Sequence, residues 1–288
     1  MTSPVSVAAA VGAAVSFAVA AVVQQESTQL VPVGKSLSLR ILADLLRRPK
    51  WLAGVAFLLC GFGLQALALA YGPVALVQPI VVTELAFAIP LAIWRRRRRA
   101  GRREVLGIGC VVAGVATFLV ASSPRSGIPD PGGPEWLLSL APAGGVATAA
   151  VALGSRRSGP VRALLLGAAS GISFGVLAVL TKATTYLLGL SLDRAFSSWQ
   201  LYLVVVVGIA ALVVSQSAYQ AGPLAYSLPV SDVLEPVVAV VLGQTMLGEQ
   251  VTLSPGLLAL EAVAAAIACA GIVVLATSST VLGIYRDA

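Results

Sequence analysis

Five ionisable side chains stand well inside stretches that are otherwise almost wholly apolar: Glu84, Lys182, Asp232, Glu235 and Glu261. A charge at the centre of a bilayer costs about 2.5–3.5 kcal/mol on insertion scales, so such residues face a protein interior or a watery cavity and mark paths for ions, protons or solutes. Glu84 lies eleven residues into the apolar run Pro73–Trp94. Glu235, followed by Pro236, occupies the middle of Pro223–Gly243, and Asp232 precedes it by almost one helical turn on nearly the same face. A carboxylate withdrawn from water can exchange protons or hold a cation. Glu84 and Glu235 are therefore the first candidates for proton coupling or cation recognition, with Asp232 and Glu261 behind them. Lys182 could supply a counter-charge. The competing reading is structural hydrogen bonding between helices. Glu104 and Glu249, at the edges of apolar runs, read as solvated.

Neutral polar groups offer a second set of contacts. Gln65, Gln78, Ser215, Gln216 and Gln220 all fall in or beside apolar runs. Amides and hydroxyls can both donate and accept without the desolvation penalty of a full charge. They are candidates for a cavity wall, or for local backbone and interhelical bonds.

The elements that must carry these groups are membrane helices. Of 288 residues, 58% are hydrophobic and only 11% charged, against about 25% charged in a soluble domain, and the mean hydropathy is +0.94. Apolar runs recur from end to end, and a helix of about 20 residues crosses a hydrocarbon layer. The expected spans are Pro4–Gln24, Trp51–Tyr71, Pro73–Trp94, Glu104–Ser122, Trp136–Leu153, Val161–Leu188, Trp199–Ala221, Pro223–Gly243 and Pro255–Thr277. The first lacks a preceding Lys or Arg and is read as a retained span rather than a cleaved signal.

Residues 28–46 are ambiguous. They are rich in Leu but interrupted by Pro32, Lys35, Arg40 and Asp44, which suits either an amphipathic interfacial helix or a short crossing against the bundle. Symmetry between residues 1–123 and 136–288, joined by an external linker at 124–135, favours ten spans; without that crossing there are nine. The fold class is an all-α polytopic membrane protein in one membrane domain.

Charge sets the orientation. Arg95–Arg99, Arg102, Arg103, Arg47, Arg48, Lys50, Arg156, Arg157, Arg162 and Arg286 fall on one side, fourteen of the nineteen basic residues, whereas Arg125 and Arg194 lie in loops on the other. The positive-inside rule puts the larger set in the cytoplasm, with the C-terminus there, and the N-terminus too if ten spans are present. A bacterial plasma membrane is the expected location. The five-Arg run ends an apolar span without interleaved aromatic residues, so it suits anionic lipid headgroups and no nucleic-acid partner is expected.

Two stretches 150 residues apart nearly coincide: Gly72-Pro73-Val74-Ala75-Leu76-Val77-Gln78-Pro79 and Gly222-Pro223-Leu224-Ala225-Tyr226-Ser227-Leu228-Pro229. Five crossings separate them, so they begin spans of opposite direction, as in inverted-repeat transporters. Pro79 and Pro229 each remove one backbone donor inside a span, and a kink or open turn is expected at both. Exact alignment pairs Glu84 with Leu234, one position before Glu235. Gly167, Gly171 and Gly175 form consecutive GxxxG patterns, suited to close helix approach.

The duplicated Gly-Pro motif, the count of about ten helices and the small-residue-rich last helix of each half resemble the drug/metabolite transporter superfamily of the EamA-like type. Gly61 to Pro73, continuing to Glu84, also resembles the branch near NIPA-type magnesium transporters. The resemblance implies a secondary carrier that moves a small metabolite or drug-like solute by alternating access, with a proton as coupling ion. In the NIPA-like alternative, Mg2+ or another divalent cation is the substrate.

No cofactor and no enzyme activity are expected: the chain has no His, no phosphate-binding loop and no nucleophile elbow. Cys60, Cys110 and Cys269 lie apart and form no disulfide framework, and no residue set is assigned to a metal. The expected partners are the lipid bilayer and a small-molecule or ion substrate. The sequence carries no signal for an oligomeric state. A membrane scaffold without transport is the remaining alternative.

Overall fold

The computed structural model describes residues 3–28, 37, 39–95, 101–122, 127, 133–221, 224–249 and 255–277. Every regular element among them is a helix: α1 (Pro4–Thr28), α2 (Leu39–Leu45), α3 (Pro49–Tyr71), α4 (Val74–Val82), α5 (Glu84–Arg95), α6 (Arg102–Ser122), α7 (Gly133–Ser155), α8 (Gly159–Leu190), α9 (Leu192–Ser197), α10 (Trp199–Ala221), α11 (Leu224–Leu247) and α12 (Pro255–Ala276). Seven helical segments among the described residues are long and apolar enough to cross a bilayer, with α4 and α5 together making one of them. The protein is thus an all-α, multi-pass membrane protein. Large apolar side chains such as Leu59, Val206 and Val263 remain more than half exposed, as expected where lipid tails rather than water cover a surface.

Residues 29–36 and 38 of the ambiguous segment 28–46 lie outside the described residues; what is described of it is Thr28, Leu37 and the short helix α2, with Leu46 in the turn after it. Residues 96–99, Gly222, Pro223 and the linker apart from Gly127 and residues 133–135 also lie outside them.

Small residues decide how the helices meet. In lipid there is little hydrophobic drive between helices, so close approach of backbones and van der Waals packing hold them together. The glycine series on α8 abuts the backbone of α11: a Cβ on Gly167 would fall 2.6 Å from the Ser227 carbonyl oxygen, on Gly171 2.5 Å from that of Ser231, and on Gly175 2.7 Å from that of Glu235. The pair α6–α12 uses the same device, since a Cβ on Gly114 would lie 2.6 Å from the Ala264 carbonyl and one on Gly271 2.7 Å from that of Gly107. On α1, Ala9, Ala10, Ala13, Ala14 and Ala18 are buried, and α1 packs along α3.

The two copies of the proline motif fold differently. Gly72 follows α3 in extended conformation, Pro73 is the N-cap of α4, and the helix stops again at Thr83, four residues after Pro79. There the Thr83 amide bonds to Ile80 O at 3.0 Å and Ala86 N to Thr83 O at 2.9 Å, tight three-residue turns in place of the α-helical ladder. The Thr83 hydroxyl also donates to Ile80 O at 2.6 Å. By contrast α11 runs through both Pro229 and Pro236 without interruption. No open turn forms at Pro229, because one missing donor does not interrupt a helix whose backbone is held along α8 at three successive turns.

Candidate functional site

The break at Thr83 makes Glu84 the first residue of α5. It projects into a cavity of about 90 Å³ that also receives Asp232 and Glu235 from α11. The three carboxylates are near enough to interact electrostatically. Both halves of the chain build the walls: Phe17, Ala20, Ala21 and Gln24 from α1, Leu58, Phe62 and Gln65 from α3, Val81 and Val82 from α4, Phe174 from α8, Leu212, Ser215, Gln216 and Tyr219 from α10, and Ser231 from α11. Asp232 is 7% exposed, and its Oδ2 has no hydrogen-bond partner among the described residues. Gln216 Nε2 donates to Gln24 Oε1 at 3.2 Å and ties α10 to α1 across the cavity. Ser215 donates to Leu212 O at 2.9 Å, within its own helix.

One side is aromatic. The rings of Phe17 and Phe62 meet edge to face at 5.1 Å, and Phe62 and Phe174 lie 6.3 Å apart. Three carboxylates in a small cavity with apolar walls are costly to hold in charged form without bound protons or a cation. Rings beside them can attract the same cation through their faces. Among the described residues no group of three acidic, His or Cys side chains is arranged to hold a metal ion directly.

Six of the residues singled out in the sequence therefore share this cavity: Glu84, Asp232, Glu235, Gln65, Ser215 and Gln216. Gln78, Gln220, Glu261 and Lys182 do not line it. Gln78 is fully buried in α4 with neither amide atom bonded among the described residues, and Glu261 is buried on α12.

Lys182 belongs to a second charged centre. Its Nζ donates to Gly72 O at 2.6 Å and lies 3.2 Å from Glu249 Oε1. Glu249 accepts from Val74 N at 2.8 Å and Ala75 N at 3.2 Å, capping the start of α4. The reading of Glu249 as a solvated edge residue is thus wrong: it is 4% exposed, drawn inward by a lysine and two unpaired helix N–H groups. Glu104 is also buried, at 2% exposure, rather than solvated.

No family model and no solved structure matches the chain. Over 246 residues it is 30% identical to "Uncharacterized protein Cgl0250/cg0304" of Corynebacterium glutamicum, covering 84% of each chain. The chain belongs to the family of that protein. In this member of the Cgl0250/cg0304 family, sequence reasoning passed over Gln24, Tyr219, Ser231 and the three Phe side chains of the cavity. Gln24 ends the first apolar run, where an amide reads as interfacial, and a Phe in an apolar helix is indistinguishable from lipid-facing or core Phe. The place of Phe174 between Gly171 and Gly175, on the helix that meets α11, is the one signal that could have found it.

Proposed function

We propose that this protein is a secondary transporter that works by alternating access, with the cavity around Glu84, Asp232 and Glu235 as its transport site and a proton or a positively charged solute as the species those acids hold. The single observation that carries this reading is the convergence of three membrane-embedded carboxylates, from α5 and α11, on one cavity walled by both halves of the chain. Intramembrane acids facing a common cavity are the usual mark of an ion or solute path, and discontinuous helices such as α4–α5 occur where transporter chains bend around the site.

Packing also supports an inverted repeat. The way α1 lies on α3, α4 and α5 parallels the way α8 lies on α10 and α11, while α6 and α12 pair with each other. Matching α1 with α8 needs no crossing in residues 28–46, so this pairing favours nine spans and an external N-terminus. A cysteine placed at Ser3 is then expected to react with an impermeant thiol reagent added to intact cells; protection until the cells are opened would return the ten-span arrangement.

A second reading, a divalent-cation permease, is favoured by the oxygen-rich wall of acids and amides. A cation such as Mg2+ that keeps most of its waters needs only one or two carboxylates.

The test is flux in proteoliposomes with Glu84→Gln and Glu235→Gln. Loss of a charge partner for a bound cation amounts to about 2–5 kcal/mol, so each variant is expected to weaken cation affinity about 30-fold or more while the protein stays folded. Wild-type coupled flux in both would remove these acids from the mechanism, and absence of any saturable flux in the wild type across organic cations, protons and Mg2+ would favour the scaffold.

A further inference from the structure

The acidic cavity has an apolar neighbour. A groove of about 260 Å³ runs between α4, α6, α11 and α12, lined by Pro79, Val115, Val237, Val240, Ala268 and Ile272 among others. Val82 and Asp232 belong to both linings. Among the described residues Asp232 is the one charged side chain of the groove, and the acid is more than nine-tenths buried with Oδ2 unpartnered among those residues. The rim on α11 is open, with Val237 50% and Val241 52% exposed on a membrane-spanning helix.

Each space alone is a poor fit to a common solute. The acidic cavity is well below the roughly 300–1,000 Å³ of ordinary ligand sites, and among the described residues the groove offers no strong hydrogen-bonding side chain but Asp232. Phe17, Phe62 and Phe174 beside the acids suit a cation of low charge density, which gains from ring faces; a divalent ion that keeps its waters gains little from them.

Resting on the reading of the cavity as a transport site, we infer that the substrate is an amphiphilic monocation, an alkylammonium whose head lies among Glu84, Asp232 and Glu235 and whose apolar chain lies in the groove, reached sideways from the membrane. The shared Asp232 fixes the junction of head and chain. The open α11 rim is the entrance.

The test is equilibrium binding of radiolabelled tetramethyl-, butyltrimethyl- and octyltrimethylammonium to the full chain in phosphatidylcholine nanodiscs, with empty nanodiscs subtracted and affinities referred to the free aqueous concentration. Each methylene that enters the groove should tighten binding about fourfold, so the octyl probe is expected to bind at least about tenfold more tightly than tetramethylammonium. Val237→Trp, which fills the groove from its exposed rim, should lower the octyl affinity about tenfold and narrow the difference between the probes. Asp232→Asn should weaken all three. Val241→Trp repeats the groove test from a second exposed position, and the chain-length series on the wild type needs no variant.

Equal affinities for the three probes, or an octyl affinity indifferent to both Trp variants, would overturn the inference. If Asp232→Asn still weakened tetramethylammonium, the cavity would remain a cation site without a groove. Mg2+ binding sensitive to Asp232→Asn, with no ammonium binding, would overturn it in favour of the permease. Indifference of every binding and flux measurement to Glu84→Gln, Asp232→Asn and Glu235→Gln would bring down the transport site itself.

Discussion

Glu249→Gln is expected to lower the stability of the detergent-solubilised protein by about 3–5 kcal/mol, the loss typical when one partner of a buried ion pair is removed. The side chains of Lys182 and Glu249 are 7% and 0% exposed, so solvent does little to screen either charge. With a neutral amide at position 249, the Lys182 ammonium loses its counter-charge while keeping the Gly72 carbonyl at 2.6 Å, and the start of α4 loses the charged acceptor of Val74 N and Ala75 N. Lys182→Met should be milder, because the stranded carboxylate still has two N–H donors and the positive end of a helix. The double variant Lys182→Met with Glu249→Gln should recover much of the loss, since no uncompensated charge is left. A thermal-unfolding double-mutant cycle measures the coupling, and additive losses would show that the 3.2 Å contact does not act as a pair.

The same contact also ties the two halves of the chain together. It joins α8 of the second half, and the segment after α11, to the junction of α3 and α4 in the first. In the proposed alternating-access cycle, any movement of the halves apart at this contact requires these bonds to part together. A buried set of partners that breaks as a unit would favour two discrete arrangements over a continuum, which suits a gate in that cycle.

The sequence made the acids of the cavity visible because burying charge in an apolar helix is expensive, and Glu84, Asp232 and Glu235 have no other evident reason to be there. Gln65, Ser215 and Gln216 were visible on the same ground, more weakly. Glu249 was not, for a physical reason: its partners are Lys182, Val74 and Ala75, far away along the chain, and an acid at the end of an apolar run looks the same whether it turns out to water or in to a lysine. The unequal fate of Pro79 and Pro229 was equally hidden. Proline removes the same donor in both copies, and whether the helix then breaks depends on what packs beside it. The helices themselves followed from hydropathy, whereas the role of residues 28–46 did not, since Lys35, Arg40 and Asp44 suit an interfacial helix and a bundle-facing one alike.

The glycine series on α8 gives the other large expected effect. At an ordinary lipid-facing helix position, Gly→Ala is favourable by about 1 kcal/mol, because it removes backbone freedom from the unfolded chain. Gly144 in α7, where an added Cβ meets nothing within 4 Å, should behave so. At Gly171 the added Cβ would sit 2.5 Å from the carbonyl oxygen and 2.8 Å from the Cα of Ser231. These are backbone atoms, which cannot turn aside as a flexible side chain can. Gly171→Ala must therefore push α8 and α11 apart, with an overpacking loss of about 1–3 kcal/mol that outweighs the propensity gain. Asp232 and Glu235 ride on the segment that moves, and Gly175 beside Glu235 O at 2.7 Å makes the next contact along the same seam. If the acids form the proposed cation site, a protein that remains folded with Gly171→Ala is expected to bind a cation about tenfold less tightly, since misplacing charge partners by a fraction of an ångström weakens both geometry and field. Measured beside Gly144→Ala, unchanged stability and unchanged cation affinity in Gly171→Ala would mean that the α8–α11 seam does not set the position of the acids.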